Sequence, residues 1–453
     1  MGALAVVGAG GFSIRYVEDI LAKDALADYR PGTNVLGGDV GVLLEDVSFK
    51  HYRGNKLTAK GKVNRIEVLK NRNLLHLLGV KDGYYRSDKG DFRFSGDRAR
   101  IDNVTHSLTV EAGARVWNND VDLLAPQFTY VQATSLLTAK GKITGKFYDG
   151  QLAANNLVYN ANEQTYRLGP VAWSGTAESP LQEVTGQTKP SEWRFKTEGI
   201  VQLKNGIETW ANAEATDGDV IIRAPKITRD TKTDTVTATG KVEYFSLDAN
   251  LVCDKAVIFR KEKRALLTGN VRMLIKPESE QKLEKVEVPP FRPMVPDEVS
   301  KSRPPAPPED KVADDEVRNS NSRRKYPVAM LAAKIEYWYK EGSRRAVITG
   351  TPQARQDMSG GRWRAIWTTT AYYDGEKELL KLVSAEGKKT TRVKTSLGDD
   401  LLCTWFEIST KEDDDAWQAM GAEGVVYPDE NEVPRRNPPP NQKPPPLRGQ
   451  IGA

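Results

Sequence analysis

One unit recurs along this chain: an alternating apolar strand, a polar turn, a second strand, then a glycine followed within three residues by Val or Ile. Its clearest copies close at Gly113-Ala-Arg-Val116, Gly141-Lys-Ile143, Gly169-Pro-Val171, Gly240-Lys-Val242 and Gly269-Asn-Val271, with a looser copy at Gly79-Val80. Gly113, Gly141 and Gly169 are spaced by 28 residues, and Gly240 and Gly269 by 29. A period of this length marks units that cannot bury their apolar face alone and must stack on their neighbours. Function is therefore expected on the surface the stack creates, with no need for one catalytic cluster.

Between the glycines the pattern has period two. In Asn250–Met273, Leu251 and Cys253 alternate, then Ala256 and Ile258, and the return strand carries Ala265, Leu267, Gly269, Val271 and Met273 on one parity. Such alternation puts an apolar row on one sheet face and charges on the other. The parity switch between Cys253 and Ala256 predicts a bulge or crossover. Polar turns are expected at Asp102–His106, Asn160–Glu163, Arg229–Asp234, Lys340–Ser343 and Asp374–Lys377, lengths ordinary for hairpins. The recurring glycine is expected where the ribbon bends or crosses to a facing sheet. The string Leu-Thr-Ala-Lys-Gly-Lys occurs at both 57–62 and 137–142. The expected fold is all-β, of repeated antiparallel hairpins, with a short amino-terminal helix over 15–30 (Val17, Ile20, Leu21, Ala25) ended by Pro31-Gly32.

The chain has 453 residues, 39% apolar and 28% charged, and a net charge of only +5. No basic block interleaved with aromatics marks a nucleic-acid groove, so no nucleic-acid partner is expected. A mild attraction to anionic surfaces fits better. Cys253 and Cys403 lack partners at metal spacing, so no metal and no cofactor is expected. Each reads as a small buried hydrophobe, or the two pair as a disulfide. His51, His76 and His106 stand alone as surface or turn residues. Val-Val-Gly8-Ala-Gly10-Gly11 looks like a dinucleotide-binding turn, but nothing downstream alternates strand with helix as that turn requires.

Met1–Ile14 is apolar and small throughout, shorter than the roughly 20 residues that cross a bilayer. It reads as the rear part of a membrane anchor or signal. The organisation expected is 1–35 as apolar segment and helix, 36–178 as a first β roll, 190–428 as a second, and 429–453 as a Pro-rich tail. The main boundary is placed between Thr176 and Pro190. The Pro- and charge-rich stretch 277–325 is expected to be disordered, either a linker between domains or, preferably, a loop inserted into one continuing roll.

The pattern Leu-x-Ala/Cys-Asp-x-Ala-x-Ile/Tyr, polar turn, Leu-x-Gly-Asn-Val, carried by Leu251–Val271, resembles the repeat of the OstA-like lipopolysaccharide-transport family. Residues 219–275 and 328–382 look like its soluble periplasmic bridge component. Residues 42–175 are similar to its inner-membrane-anchored component, through Lys56-Leu-Thr-Ala59, Asn73-Leu-Leu-His-Leu-Leu-Gly-Val80, Asp97-Arg-Ala-Arg-Ile-Asp102 and Arg167-Leu-Gly-Pro-Val171. The resemblance implies a twisted, open β-jelly roll whose interior accepts the acyl chains of lipopolysaccharide or a related glycolipid. It further implies a periplasmic location, with the amino end as a candidate inner-membrane anchor. The implied partners are other OstA-like jelly-roll proteins of the inner and outer membrane, joined edge to edge by β-augmentation, and an export ATPase complex in the inner membrane. The groove-lining candidates are Phe94, Ile101, Leu123, Phe128, Leu137, Leu152, Leu157, Ile222, Ile227, Leu251, Ile258, Leu267 and Val271. In that family the bridge and anchor components are separate, shorter chains, whereas here both patterns lie in one.

Two other readings compete. A structural β-repeat scaffold or surface protein would have a filled core and no lipid ligand. A β-helical carbohydrate-active enzyme would need paired carboxylates, and Glu412-Asp-Asp-Asp415 reads as a solvated turn. The expectation is a protein that is not an enzyme.

Overall fold

The computed structural model describes residues 40–177, 191–277, 282–285, 288, 325–426 and 451–452, apart from a few turn positions within those spans. Among them every regular element is a β-strand, save single 3-10 turns at Gln132–Thr134, Arg260–Glu262 and Ser359–Gly361. The helix expected over 15–30 lies outside the described residues. So does the tail expected over 429–453, except Ile451–Gly452. Contacts divide the chain into two units. The first runs to Ala177 and adds Ser191–Ala213 and Asp230–Lys232; the second holds Glu214–Arg229 and everything from Thr233 onward.

In the first unit, β1 (Val40–Arg53), β2 (Lys56–Leu69), β3 (Leu74–Ser87), β4 (Gly90–Asp102), β5 (Ser107–Trp117), β6 (Val121–Val131), β7 (Leu136–Phe147) and β8 (Gly150–Asn160) pair in chain order as an antiparallel meander. The turns fall where the polar residues predict. Asp102 Oδ1 accepts the Val104 and Thr105 N–H at 2.8 and 3.0 Å, and Asn160 Oδ1 accepts those of Asn162 and Glu163 at 3.0 and 3.1 Å. A side-chain acceptor two or three residues upstream thus substitutes for a backbone turn bond.

Each long strand bends near its middle. The ladders slip at Val80/Gly83, Ser95/Arg98, Glu111/Ala114, Leu124/Gln127 and Ala139/Lys142. Slippage by one residue flips the parity, so both halves of a strand turn their apolar side chains to the same face. In β6, Val121, Leu123 and Ala125 are buried before the elbow, and Phe128 and Tyr130 after it. The two Leu-Thr-Ala-Lys-Gly-Lys strings occupy equivalent elbows, with slips at Lys60/Lys62 and Ala139/Lys142.

At Gly169-Pro170 the chain stops crossing by a bulge and breaks instead. β9 (Thr165–Leu168) pairs with one half of β8 and β10 (Val171–Ala177) with the other. β11 (Ser191–Thr197) then pairs with β10, and β12 (Val201–Lys204) with β9 and with β13 (Ile207–Thr216). This corrects the boundary expected between Thr176 and Pro190. Because the split strand offers two separate edges, residues 191–213 return to the first unit, and the division falls after Ala213.

The second unit repeats the design. β14 (Val220–Asp230), β15 (Thr235–Ser246), β16 (Ala249–Phe259), β17 (Arg264–Ile275) and β18 (Val328–Trp338) are its long strands. Slips at Thr239/Val242, Val252/Lys255 and Thr268/Val271 include the parity switch expected after Cys253. β17 pairs directly with β18, Ile275 opposite Val328, so residues 276–327 connect two neighbouring strands. Of that connection, Pro277 and Val288 are buried and the exposed Lys285 binds Glu214 at 3.0 Å, while most of the stretch expected to be disordered lies outside the described residues.

After β18 the chain alternates between two half-sheets. One holds β19 (Arg345–Thr349), β22 (Thr370–Asp374), β23 (Leu379–Val383), β26 (Trp405–Ser409) and β27 (Trp417–Met420). The other holds β20 (Gln353–Asp357), β21 (Trp363–Trp367), β24 (Thr391–Thr395), β25 (Asp400–Cys403) and β28 (Glu423–Val425). Described pairings are antiparallel, except a two-residue parallel one between β27 and Ile451–Gly452.

Candidate functional site

The cross-strand register sorts the apolar side chains into rows. In the first unit one row runs Val68–Leu75–Ile101–Leu108–Tyr130–Leu137–Tyr159. The next runs Ile66–Leu77–Ala99–Val110–Phe128–Ala139–Leu157–Leu168–Val201. Beyond the elbow, Phe94–Val116–Leu123–Gly145–Leu152–Trp173 forms a third. These side chains share one core, and they are shut in: Leu137 is 1% exposed and Ile143 0%.

The second unit differs. The row beside the elbow, Ala238–Ala256–Leu267–Ile335–Ile348–Ala371–Leu382–Phe406–Ala419, is buried except at Leu267. The row further out on the same half, Val236–Ile258–Ala265–Tyr337–Ala346–Tyr373–Leu380–Ile408–Trp417, is mostly half-buried and exposed at Trp417. On the other half, Tyr244–Leu251–Met273–Met330–Ala354–Ile366–Val393–Leu401 is half-buried at every position but Leu251. Apolar residues thus continue in register across eight or nine strands on faces that water partly reaches. Gln356, which is buried, and Arg364 follow in the next row, with Arg364 Nε donating to Gln356 Oε1 at 2.7 Å.

The thirteen candidates divide accordingly. Phe94, Ile101, Leu123, Phe128, Leu137, Leu152 and Leu157 are buried in the first unit's core. Ile227, Leu251 and Val271 are buried in the second unit, and Ile222, Ile258 and Leu267 are half-buried. Sequence reasoning left out Met273, Met330, Ile366, Val393 and Leu401, the half-exposed row itself. Its signal was the same alternation, which places Met273 on the parity of Leu267 and Val271 and recurs around Met330 and Ile366.

Polar groups at the crossing between the two half-sheets satisfy one another. Thr391, fully buried, lies 2.9 Å from Thr368 Oγ1 and 3.0 Å from Ser384 Oγ, and Ser384 Oγ accepts the Thr390 and Thr391 N–H at 2.9 and 2.8 Å. Cys253 and Cys403 are both free and buried, and burial pushes their thiols up to about 12 and about 11. They are held as protonated, unreactive groups. Among the described residues no three His, Cys, Asp or Glu side chains converge, and no helix is long and apolar enough to cross a membrane.

No protein-family model and no curated protein match the sequence. Among solved structures, the chain is similar to the crystal structure of LptH, the LptA-homologous periplasmic component of the lipopolysaccharide transport device of Pseudomonas aeruginosa. The match has 12% identity, covers 33% of this chain and 81% of that one, and has a TM-score of 0.16.

Proposed function

We propose that the second unit carries the acyl chains of lipopolysaccharide, or of a related glycolipid, along its half-exposed apolar rows. Each exposed CH₂ costs roughly 0.8 kcal/mol, so one long acyl chain in water faces about 10 kcal/mol. A surface that stays apolar over eight or nine strands lowers that barrier without chemistry, and on this reading the chain is not an enzyme. The observation that carries it is the row Met273–Met330–Ala354–Ile366–Val393–Leu401, apolar throughout yet half-buried. The setting is the periplasm, and the resemblance of Leu251–Val271 to the OstA-like repeat supports it. Cargo would come from an export ATPase complex in the inner membrane and pass to other OstA-like rolls. β1, paired only with β2 among the described strands, and β28, paired only with β25, are the edges open to such rolls.

A photo-crosslinking amino acid at Met330 or Ile366 should trap a lipid A-type glycolipid in cells, while one at the outward-facing Leu331 or Lys381 should not. Adducts confined to the outward positions would overturn the assignment. A second reading, a lipid-free structural scaffold, is favoured by the closed interior of the first unit, where Leu137 and Ile143 have almost no exposure. It predicts no adduct at any of these positions and no lipid in native mass spectra.

A further inference from the structure

The outer face of the first three strands carries an arrangement that folding alone does not favour. Lys50 of β1 stands directly opposite Lys60 of β2, and Lys62 of β2 directly opposite Lys81 of β3. Facing residues in an antiparallel ladder hold their Cβ atoms about 5 Å apart, and like charges there repel. All four lysines are exposed, and among the described residues none has an acidic partner. The acids nearest in sequence to Lys50 and Lys81, Asp46 and Asp82, make no ion pair with them, and Glu67, nearest to Lys60 and Lys62, pairs with Arg65 at 2.6 Å. Among the described residues their one partner is an aromatic ring: Lys60 Nζ lies 5.5 Å from the centre of Tyr84. Exposed Arg93 follows in register with Tyr84 on one side and Trp117 on the other. Some cations elsewhere are paired, as Arg115 is with Asp122, Lys241 with Glu243 and Lys334 with Glu336.

We infer that this face docks on an anionic phospholipid bilayer. Two like-charge pairs side by side on one sheet face, flanked by Tyr84, Arg93 and Trp117, match a surface of closely spaced negative head groups with an interfacial zone for aromatic rings. The sequence supplies a second argument for a bilayer over a soluble polyanion. The apolar run Met1–Ile14 lies 25 residues before β1 in the same chain. The inference does not rest on the lipid-trough reading, which concerns the opposite face of the strands and the second unit.

The test is flotation of the full chain with phosphatidylcholine vesicles, with and without about 30 mol% phosphatidylglycerol. The wild-type protein should partition more strongly onto the anionic vesicles, and about 0.5 M NaCl should abolish the difference. The variant K50Q/K60Q/K62Q/K81Q should lose the preference by about six hundredfold, since each of the four cations near such a surface contributes about a fivefold factor. Its melting temperature should be unchanged or higher, because the substitutions relieve repulsion. A control with the same charge loss, K140Q/K142Q/K226Q/K255Q, should keep the preference. Equal binding to neutral vesicles, or equal losses in both variants, would overturn the inference, as would tighter binding to heparin than to anionic vesicles.

Discussion

At the scale of single residues, the repeat glycines are explained by where they sit. Gly113 and Gly240 both hold left-handed backbone, with φ of +74° and +92°, at the slip of the ladder. Their surroundings differ. A methyl at Gly113 would meet nothing within 4 Å, whereas one at Gly240 would lie 2.9 Å from Cγ of Pro225, a rigid ring on the preceding strand's elbow. Gly113→Ala should therefore cost only the left-handed conformation, about 1 kcal/mol, and Gly240→Ala about 2–3 kcal/mol once the overlap is added. Urea midpoints of the two variants measure the difference. Equal losses would mean that the Pro225 elbow yields freely and does not fix the bend.

At the scale of elements, one line of elbows organises each unit. Long strands cross it by a bulge, and the later short strands cross it by breaks such as Gly350–Pro352 and Ser384–Thr390. The hydroxyl cluster of Thr368, Ser384 and Thr391 lies buried on that line. Thr391→Val, nearly isosteric, should cost about 1 kcal/mol, and Ser384→Ala about 2–3 kcal/mol because two backbone N–H groups lose their acceptor. Equilibrium unfolding in urea separates the two; a neutral Ser384→Ala would show that water replaces the hydroxyl. Strands, turns and the elbow after Cys253 were legible in the sequence, because period-two alternation and Asp or Asn at turn starts are local signals. The split at Gly169 was not, since Gly169-Pro-Val171 reads like Gly141-Lys-Ile143 and only pairing reveals that β9 and β10 part. Nor could alternation tell which apolar rows are sealed, like Leu137, and which are half-open, like Met330. Both lie on alternating strands two residues from an elbow, so the local pattern is the same and only the packing of the unit separates them.

At the scale of the whole molecule, acid should be the condition that unfolds this protein most readily. Burial by itself would raise Glu214, Asp234, Glu336 and Asp400, yet Arg223 and Lys285, Arg229 and Arg260, Arg264 and Lys334, and Arg392 and Lys394 outweigh it and hold all four carboxyls low. The Arg115 hydrogen bond holds Asp122 low, and turn N–H donors lower Asp102 and Asp374. A carboxyl depressed in the folded state contributes stability that is complete above its unfolded value and is lost as pH falls through the folded one. With ordinary values of 3.8 for Asp and 4.5 for Glu, the urea midpoint should stay level from neutrality to about pH 5 and fall steadily below about 4.5. Asp400 should carry a visible share. Its oxygens accept Arg392 Nε and Nη2, both at 2.7 Å, and Lys394 Nζ at 3.1 Å, and Lys394 is only 2% exposed. Asp400→Asn strands that buried ammonium and should cost about 2–3 kcal/mol at pH 7. It should also make the acid limb shallower, because one depressed carboxyl is gone. A wild-type midpoint that held level to pH 3 would show that these pairs form as well in the unfolded chain as in the folded one, and the ion-pair account of its stability would fail.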